Sequence, residues 1–306
     1  MHNSYPIQNM KKFLILLLCL SCIIACNNKA QDAGGKDTKS SALTDENYTD
    51  AEGWKFDTLS IARKVHIDND TAKDGMQINL SFIYPVSVPA NLNLSEVQNT
   101  FSRVFLWEQD FTGTPDEAFQ KEIDKYVKAA EEKAVFWKDW EAGQYIPFSG
   151  YEDTKVSQIE SDTEYVVTIS LNYYSYEGGA HGMHGLHYFN IDKRSGTLIT
   201  EEELFKPGYE NRVAALIQQD IEKVNSSPDE DSHIGLLVEL SEIKPNRNFL
   251  LSPAGMTYVY NIYEIAPYVQ GPVEAVVPYE ELMTLVNEKY LPVIQSLNEI
   301  SNNQNP

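Results

Sequence analysis

Three of the chain's six histidines, His181, His184 and His187, stand three residues apart within NYYSYEGGAHGMHGLHYFNIDKRSG, Asn172 to Gly196. On a helix, this spacing would bring three imidazoles to one face, a ligand set suited to zinc. The same stretch holds Gly178, Gly179, Gly182 and Gly185, which oppose a helix. In a strand, residues three apart point to opposite faces, so only a shaped loop could converge the rings. Glu177 is the one acid beside them to complete or orient such a site. The expectation is no metal and no cofactor: Gly178 and Gly179 turn the chain, and His181 hydrogen-bonds at a hairpin tip. The tyrosines ahead of the glycines suggest a different chemistry. With one strand face in a core, Tyr174 and Tyr176 are expected at the surface, as contact residues for a protein or a glycan.

Other catalytic signatures are missing. The sequence has no G-x-S-x-G, no H-E-x-x-H and no phosphate-binding glycine loop. DNDTAKDG resembles a calcium loop only superficially. Counted from Asp70, Ala72 falls at the third ligand position and Ser81 at the twelfth. SSPDEDSH, Ser226 to His233, reads as a solvated loop. Carboxylate pairs abound, but in so acidic a chain they arise by chance. The expectation is a binding module with no catalytic residues; the competing reading is a metal-dependent envelope hydrolase using the His181 loop.

The N-terminus suggests where such a module works. MKKFLILLLCLSCIIAC, Met10 to Cys26, has a Lys11-Lys12 n-region and an apolar run from Phe13 to Ile24, too short for a permanent span. Ile23-Ile24-Ala25-Cys26 has the form of a lipobox. This predicts a signal peptide over 1–25, with Met10 the better start, and lipidation of Cys26. Asn27, not aspartate, favours an outer-membrane lipoprotein facing the periplasm or the cell exterior. All three cysteines, Cys19, Cys22 and Cys26, lie here. The mature chain then has no free thiol, disulfide or cysteine zinc site. Lys11 and Lys12 are the only side-chain charges removed with the signal, leaving 22 basic against 45 acidic residues. Such a field disfavours nucleic acid and anionic lipid surfaces and favours a cationic partner. The membrane is reached through the lipid anchor alone.

Residues 26–50 are polar and rich in Gly, Ser, Thr and Asp, and read as a flexible tether. From Trp54, WKFDTLSIARKVHID and GMQINLSFIYPVSV predict two strands joined by a polar turn. Asn93–Asp110 and Pro115–Trp140 predict helices. Thr114-Pro115-Asp116-Glu117 is a capping-box start, and Phe119, Ile123, Tyr126, Ala130, Ala134 and Trp137 recur at helical spacing. From Tyr165, alternation predicts a strand with one buried face; Leu186–Asp192 returns, and Asp192–Thr197 turns on Gly196. Asn211–Val224 predicts a helix. Further strands break at Pro253-Ala254-Gly255 and Gly271-Pro272. Pro278 opens a last helix that Pro292 should kink. Strand runs with segregated helices indicate an α+β fold, antiparallel sheets with packed helices in two closely associated subdomains, 51–150 and 151–300.

In the second half, YEGGAHG, then HYFNIDKRSGTLITEEELF, YEIAPYVQGP and VVPYEEL resemble the extracytoplasmic domain of RsiV-type anti-sigma factors, a domain that also accompanies the deacetylase PdaC. The resemblance covers about 151–298, with 54–150 similar to the smaller domain that precedes it. It implies an α+β binding domain outside the membrane, with lysozyme-like cationic proteins or cell-wall glycan as partners. The chain lacks a sigma-binding segment and a catalytic deacetylase module, so only ligand binding carries over. His181 and Gly182 match the motif; His184 and His187 do not. The candidate contact residues are Tyr174, Tyr176, Gly178, Gly179, His181 and Gly182.

Overall fold

In the computed structural model the described residues are 53–139, 147–228 and 232–304. The expected signal peptide, Cys26 and the expected tether lie outside them. Nine strands form a six-stranded sheet in the order β1 to β6 and a three-stranded sheet in the order β7 to β9. With the helices between and after them, the fold is α+β, as expected.

Strands β1, Lys55–His66, and β2, Gly75–Ser87, form an antiparallel hairpin. Its turn passes through Asp68 and Asn69, both at φ 56, a conformation that short polar side chains tolerate. Two helices follow: α1, Leu94–Leu106, and α2, Pro115–Trp137. Asn93 caps α1 by accepting from the Ser95 N–H at 3.0 Å. The expected capping box opens α2: the Thr114 hydroxyl accepts from the Glu117 N–H at 3.2 Å, and the Glu117 carboxylate accepts from the Thr114 N–H at 2.7 Å. α1 stops short of Asp110 because Trp107 takes a left-handed conformation, φ 61.

The chain then returns beside β2. β3, Glu152–Asp162, runs parallel to β2 over Gln77–Ser81, the one parallel pair among the described strands. β4, Val166–Tyr176, β5, Met183–Asp192, and β6, Thr197–Ile199, continue antiparallel. The turn after β5 carries Gly196 at φ 72. A short helix α3, Glu201–Leu204, precedes α4, Glu210–Asn225.

Two hydrophobic cores lie on opposite sides of this frame. One gathers β1, β2, α1 and α2 with Val167, Ile169, Leu171 and Ile191. The other gathers α4 and the meander of β7, Phe249–Ser252, β8, Gly255–Tyr260, and β9, Val273–Val277, with Val166 and Phe205. β4 therefore has both faces covered, and Val166 to Leu171 are all buried. This corrects the one-face expectation. The second face is polar in sequence because Thr168 and Ser170 meet hydrogen-bonding partners rather than water.

Those partners include the seam between the sheets. The Asn190 side chain donates to the Phe249 carbonyl at 2.8 Å and accepts from the Leu251 N–H at 2.9 Å. Asn248 reciprocates on β5, accepting from the Tyr188 N–H at 2.9 Å and donating to the Leu186 carbonyl at 2.8 Å. Asn261 accepts from the Leu186 N–H at 2.7 Å. A carboxamide offers both a donor and an acceptor, as a peptide does, so Asn248 and Asn261 occupy the β5 edge in place of a neighbouring strand, and Asn190 of β5 does the same for β7.

The C-terminal region differs from a single kinked helix. α5, Tyr279–Leu282, ends early, and α6, Leu291–Gln304, begins after a 3-10 turn. Pro292 falls in the first turn of α6, where its missing N–H breaks no intrahelical bond. No helix of the described residues is long and apolar enough to cross a membrane.

Candidate functional site

The β4–β5 hairpin pairs Tyr174 with His184 and Tyr173 with Gly185. Its tip turns at Gly178 and Gly179, φ 88 and 94, where a side chain would be strained. The Tyr176 hydroxyl closes the turn by donating to the Gly179 carbonyl at 3.0 Å. Gly182 is required for a different reason: a Cβ there would lie 2.4 Å from the Tyr174 ring, which packs directly on this backbone. The ring is thus half-buried, and burial raises the Tyr174 pKa, with the Glu152 charge adding to it. Tyr176 is also half-buried. The most exposed tyrosine of the strand is Tyr173, because the core face ends at Leu171.

His181 meets a segment some eighty residues downstream. Its ring stacks on Tyr268, with centroids 3.7 Å apart and planes 21° apart. Nδ1 lies 3.1 Å from the Gly182 carbonyl, which can only accept, so Nδ1 carries the proton. Nε2 is left as the acceptor for the Tyr263 hydroxyl at 3.5 Å. His184 packs edge-on against the same Tyr268, and Tyr263 lies 5.9 Å from it. Asn261, tied to β5 through Leu186, fixes the root of this second loop.

The result is an aromatic cluster built from two loops. Tyr263 is 48% exposed and Val269, next to Tyr268, 91%, whereas the exposed Met183 belongs to the other face of the hairpin. Tyr263 also holds φ 67, an uncommon conformation for an aromatic residue. The sequence reading placed its candidate contact residues on the hairpin half alone. Tyr263, Tyr268 and Val269 were not assigned to a site, although they lie in the YEIAPYVQGP stretch. Their signal, two tyrosines on either side of Pro267 and ahead of Gly271, resembles ordinary strand packing until His181 is placed on Tyr268.

The opposite hairpin face carries His187. Tyr173 stacks beside it at 6.0 Å, and Trp107 meets it edge-on at 4.5 Å. Burial lowers the His187 pKa. His184 and His187 thus lie on opposite faces, as strand geometry demands, and the three imidazoles do not converge. Among the described residues, no three His, Cys, Asp or Glu side chains are grouped to hold a metal ion.

Residues 71–184 match a family model described as Deacetylase PdaC, and residues 202–280 match one described as Protein of unknown function (DUF3298). The hairpin tip falls in the first match and the Tyr263–Tyr268 loop in the second. No curated protein matches the chain. Among solved structures, a DUF3298-family member from Bacteroides fragilis is 23% identical, with TM-score 0.67, covering 82% of this chain and 100% of its own. A DUF3298-family protein from Pseudomonas aeruginosa is 18% identical, with TM-score 0.49, covering 76% of this chain and 95% of its own. The B. fragilis likeness establishes a shared fold.

Proposed function

We propose that this chain is an extracytoplasmic binding module whose contact surface is the hairpin tip joined to the Tyr263–Tyr268 loop, and whose partner is a cationic protein, with lysozyme-like proteins as the sharpest case. The observation that carries the reading is the His181–Tyr268 stack. It joins two loops distant in sequence into one aromatic cluster that takes in the exposed Tyr263 and stands beside the exposed Val269. Tyrosines supply large rigid contact area with few rotamers to freeze, as binding hot spots require. The left-handed backbone at Tyr263 supports the same reading, since strain of roughly 1–3 kcal/mol persists where surroundings enforce it and clusters at ligand contacts.

The charge supports a basic partner. The whole chain carries net −21, and complementary fields raise association rates more than affinities. A lipid on Cys26, with sorting to the outer membrane, would hold the module at the cell envelope. The Lys11-Lys12 start, the apolar run and the Ala25-Cys26 step support that placement.

Calorimetry of the full chain with a lysozyme at low salt tests the partner. Binding with measurable heat is expected, and Tyr263→Ala or Tyr268→Ala should raise the dissociation rate about tenfold or more, the scale of a hot-spot residue. No heat and no complex would remove the protein-partner reading. The same aromatic surface would then be tested for stacking on cell-wall glycan, the second reading it favours.

A further inference from the structure

The six-stranded sheet ends at β1, and no described strand pairs with the outer edge of β1. The edge runs for 12 residues, Lys55–His66, with neither a proline nor, past Phe56, a bulge to blunt it. The neighbouring strand shows which of its peptide groups face outward. Gln77 of β2 donates its N–H to the Tyr151 carbonyl, and Ile83 donates to the Ser157 hydroxyl, both on the β3 side. Residues directly opposite in an antiparallel pair turn their peptide groups either toward each other or both away. Lys64 and Thr58, the partners of Gln77 and Ile83, therefore present N–H and C=O outward, and so do Ser60 and Ala62 between them. The Thr58 N–H donates to the Asp57 carboxylate at 2.7 Å, where a further strand would offer a carbonyl.

The side chains along this edge complement their own reversed copy. Asp57 and Arg63 are exposed, and among the described residues neither forms an ion pair. Leu59 and Ile61 between them are half-buried against the core of α1 and α2. We propose that β1 is the interface between two copies of this chain, paired antiparallel about a two-fold axis through Ser60. Outward residues must meet outward residues, so the axis passes through a residue and not between two. With the axis on Ser60, Asp57 faces the partner's Arg63, Leu59 faces the partner's Ile61 and Thr58 faces the partner's Ala62, each contact occurring twice. Opposite charges and apolar groups directly across are the pairs that stabilise a sheet. One residue earlier, on Leu59, the axis would set Arg63 against the partner's Lys55. One residue later, on Ile61, it would set Arg63 against the partner's Leu59. The charge match thus selects the register. This edge lies apart from the aromatic cluster, and the pairing does not depend on the function proposed there.

The test is sedimentation velocity of the full chain at physiological salt, where its overall negative charge is screened beyond about 8 Å. A shift from monomer to dimer is expected between about 1 and 200 μM. Asp57→Arg sets like charges together at both ends of the interface and should weaken the dimer about tenfold; Asp57→Arg combined with Arg63→Asp should restore it. The two positions are about 20 Å apart along one strand, so that rescue acts only between chains. In a chain also carrying Cys19→Ser, Cys22→Ser and Cys26→Ser, oxidation of Ser60→Cys should give a disulfide dimer. Thr58→Cys should not, because its two copies would lie about 14 Å apart. A monomer throughout the range, a dimer indifferent to Asp57→Arg, a double variant that stays weak, or a cross-link through Thr58→Cys and not Ser60→Cys overturns the proposal. So does protection of the Ala62 and Lys64 amides from hydrogen exchange that is equal at low and high concentration, since the chain's own N-terminal segment would then cover the edge.

Discussion

At the residue scale, the hairpin tip separates two uses of glycine. Gly179 has open space where a Cβ would go but holds φ 94, so Gly179→Ala meets backbone strain alone. Gly182→Ala must displace the Tyr174 ring. Chemical denaturation should show the first costing about 1 kcal/mol. The second should cost about 1–3 kcal/mol, with a disturbed tyrosine signal in near-ultraviolet dichroism. His187 gives the fold a pH dependence with a definite sign. Its folded pKa lies below the unfolded value because burial disfavours the imidazolium. The stability it contributes is therefore present above the unfolded value, about 6.5, and is lost as pH falls from there through the lower folded value. Wild type should lose melting temperature between about pH 7.5 and 5.5, and His187→Phe should lose less. Equal losses in the two proteins would show that other groups set the slope.

Elements are held in register here by buried polar groups as much as by apolar stripes. α2 buries Glu122 among Phe119, Ile123 and Ala130, and the charge is answered across the core by Lys155 of β3 at 2.5 Å. Burial lowers the Lys155 pKa, and Glu122 opposes that shift. Glu122→Ala leaves the buried Lys155 ammonium uncompensated and should cost about 3–5 kcal/mol, and Lys155→Ala should cost less, since the Lys125 ammonium still reaches Glu122 at 3.3 Å. Glu122→Leu with Lys155→Met should come close to wild type in the same urea titrations. A double variant as unstable as the singles would show that the pair does more than neutralise itself. Between the sheets, Asn190→Ala strands the Leu251 N–H and the Phe249 carbonyl. A loss of about 2–4 kcal/mol is expected from two unsatisfied backbone groups.

At the scale of the whole molecule, charge and the N-terminal sequence set the tests of the proposed partner and anchor. A net charge of −21 acts over a Debye length of about 10 Å at 0.1 M salt. Association with a basic protein should therefore slow several-fold between low and physiological ionic strength, while dissociation changes little; stopped-flow measurement distinguishes the two. Cys26→Ala should release the protein from membranes on fractionation, and unchanged fractionation would refute the lipid anchor.

Much of the local structure was legible in the sequence because local rules decide it. The capping box at Thr114, the helical stripe from Phe119 to Trp137 and the glycine turns need only near neighbours. Where the reading failed, distant neighbours had the casting role. β4 reads as one-faced because Thr168 and Ser170 are polar, and their burial depends on a second sheet whose strands begin at Phe249. The opposite placement of His184 and His187 followed from the two-residue period of a strand, without tertiary information. The stacking of His181 on Tyr268 did not, since no period links residues so far apart. Only the folded chain, with Asn248 and Asn261 fastening the second sheet to β5, brings the two tyrosine-bearing loops into one surface. The same holds for Glu201: in sequence it is one of three successive glutamates, and only the arrival of Tyr209 and the Arg247 backbone makes it a buried, hydrogen-bonded carboxylate.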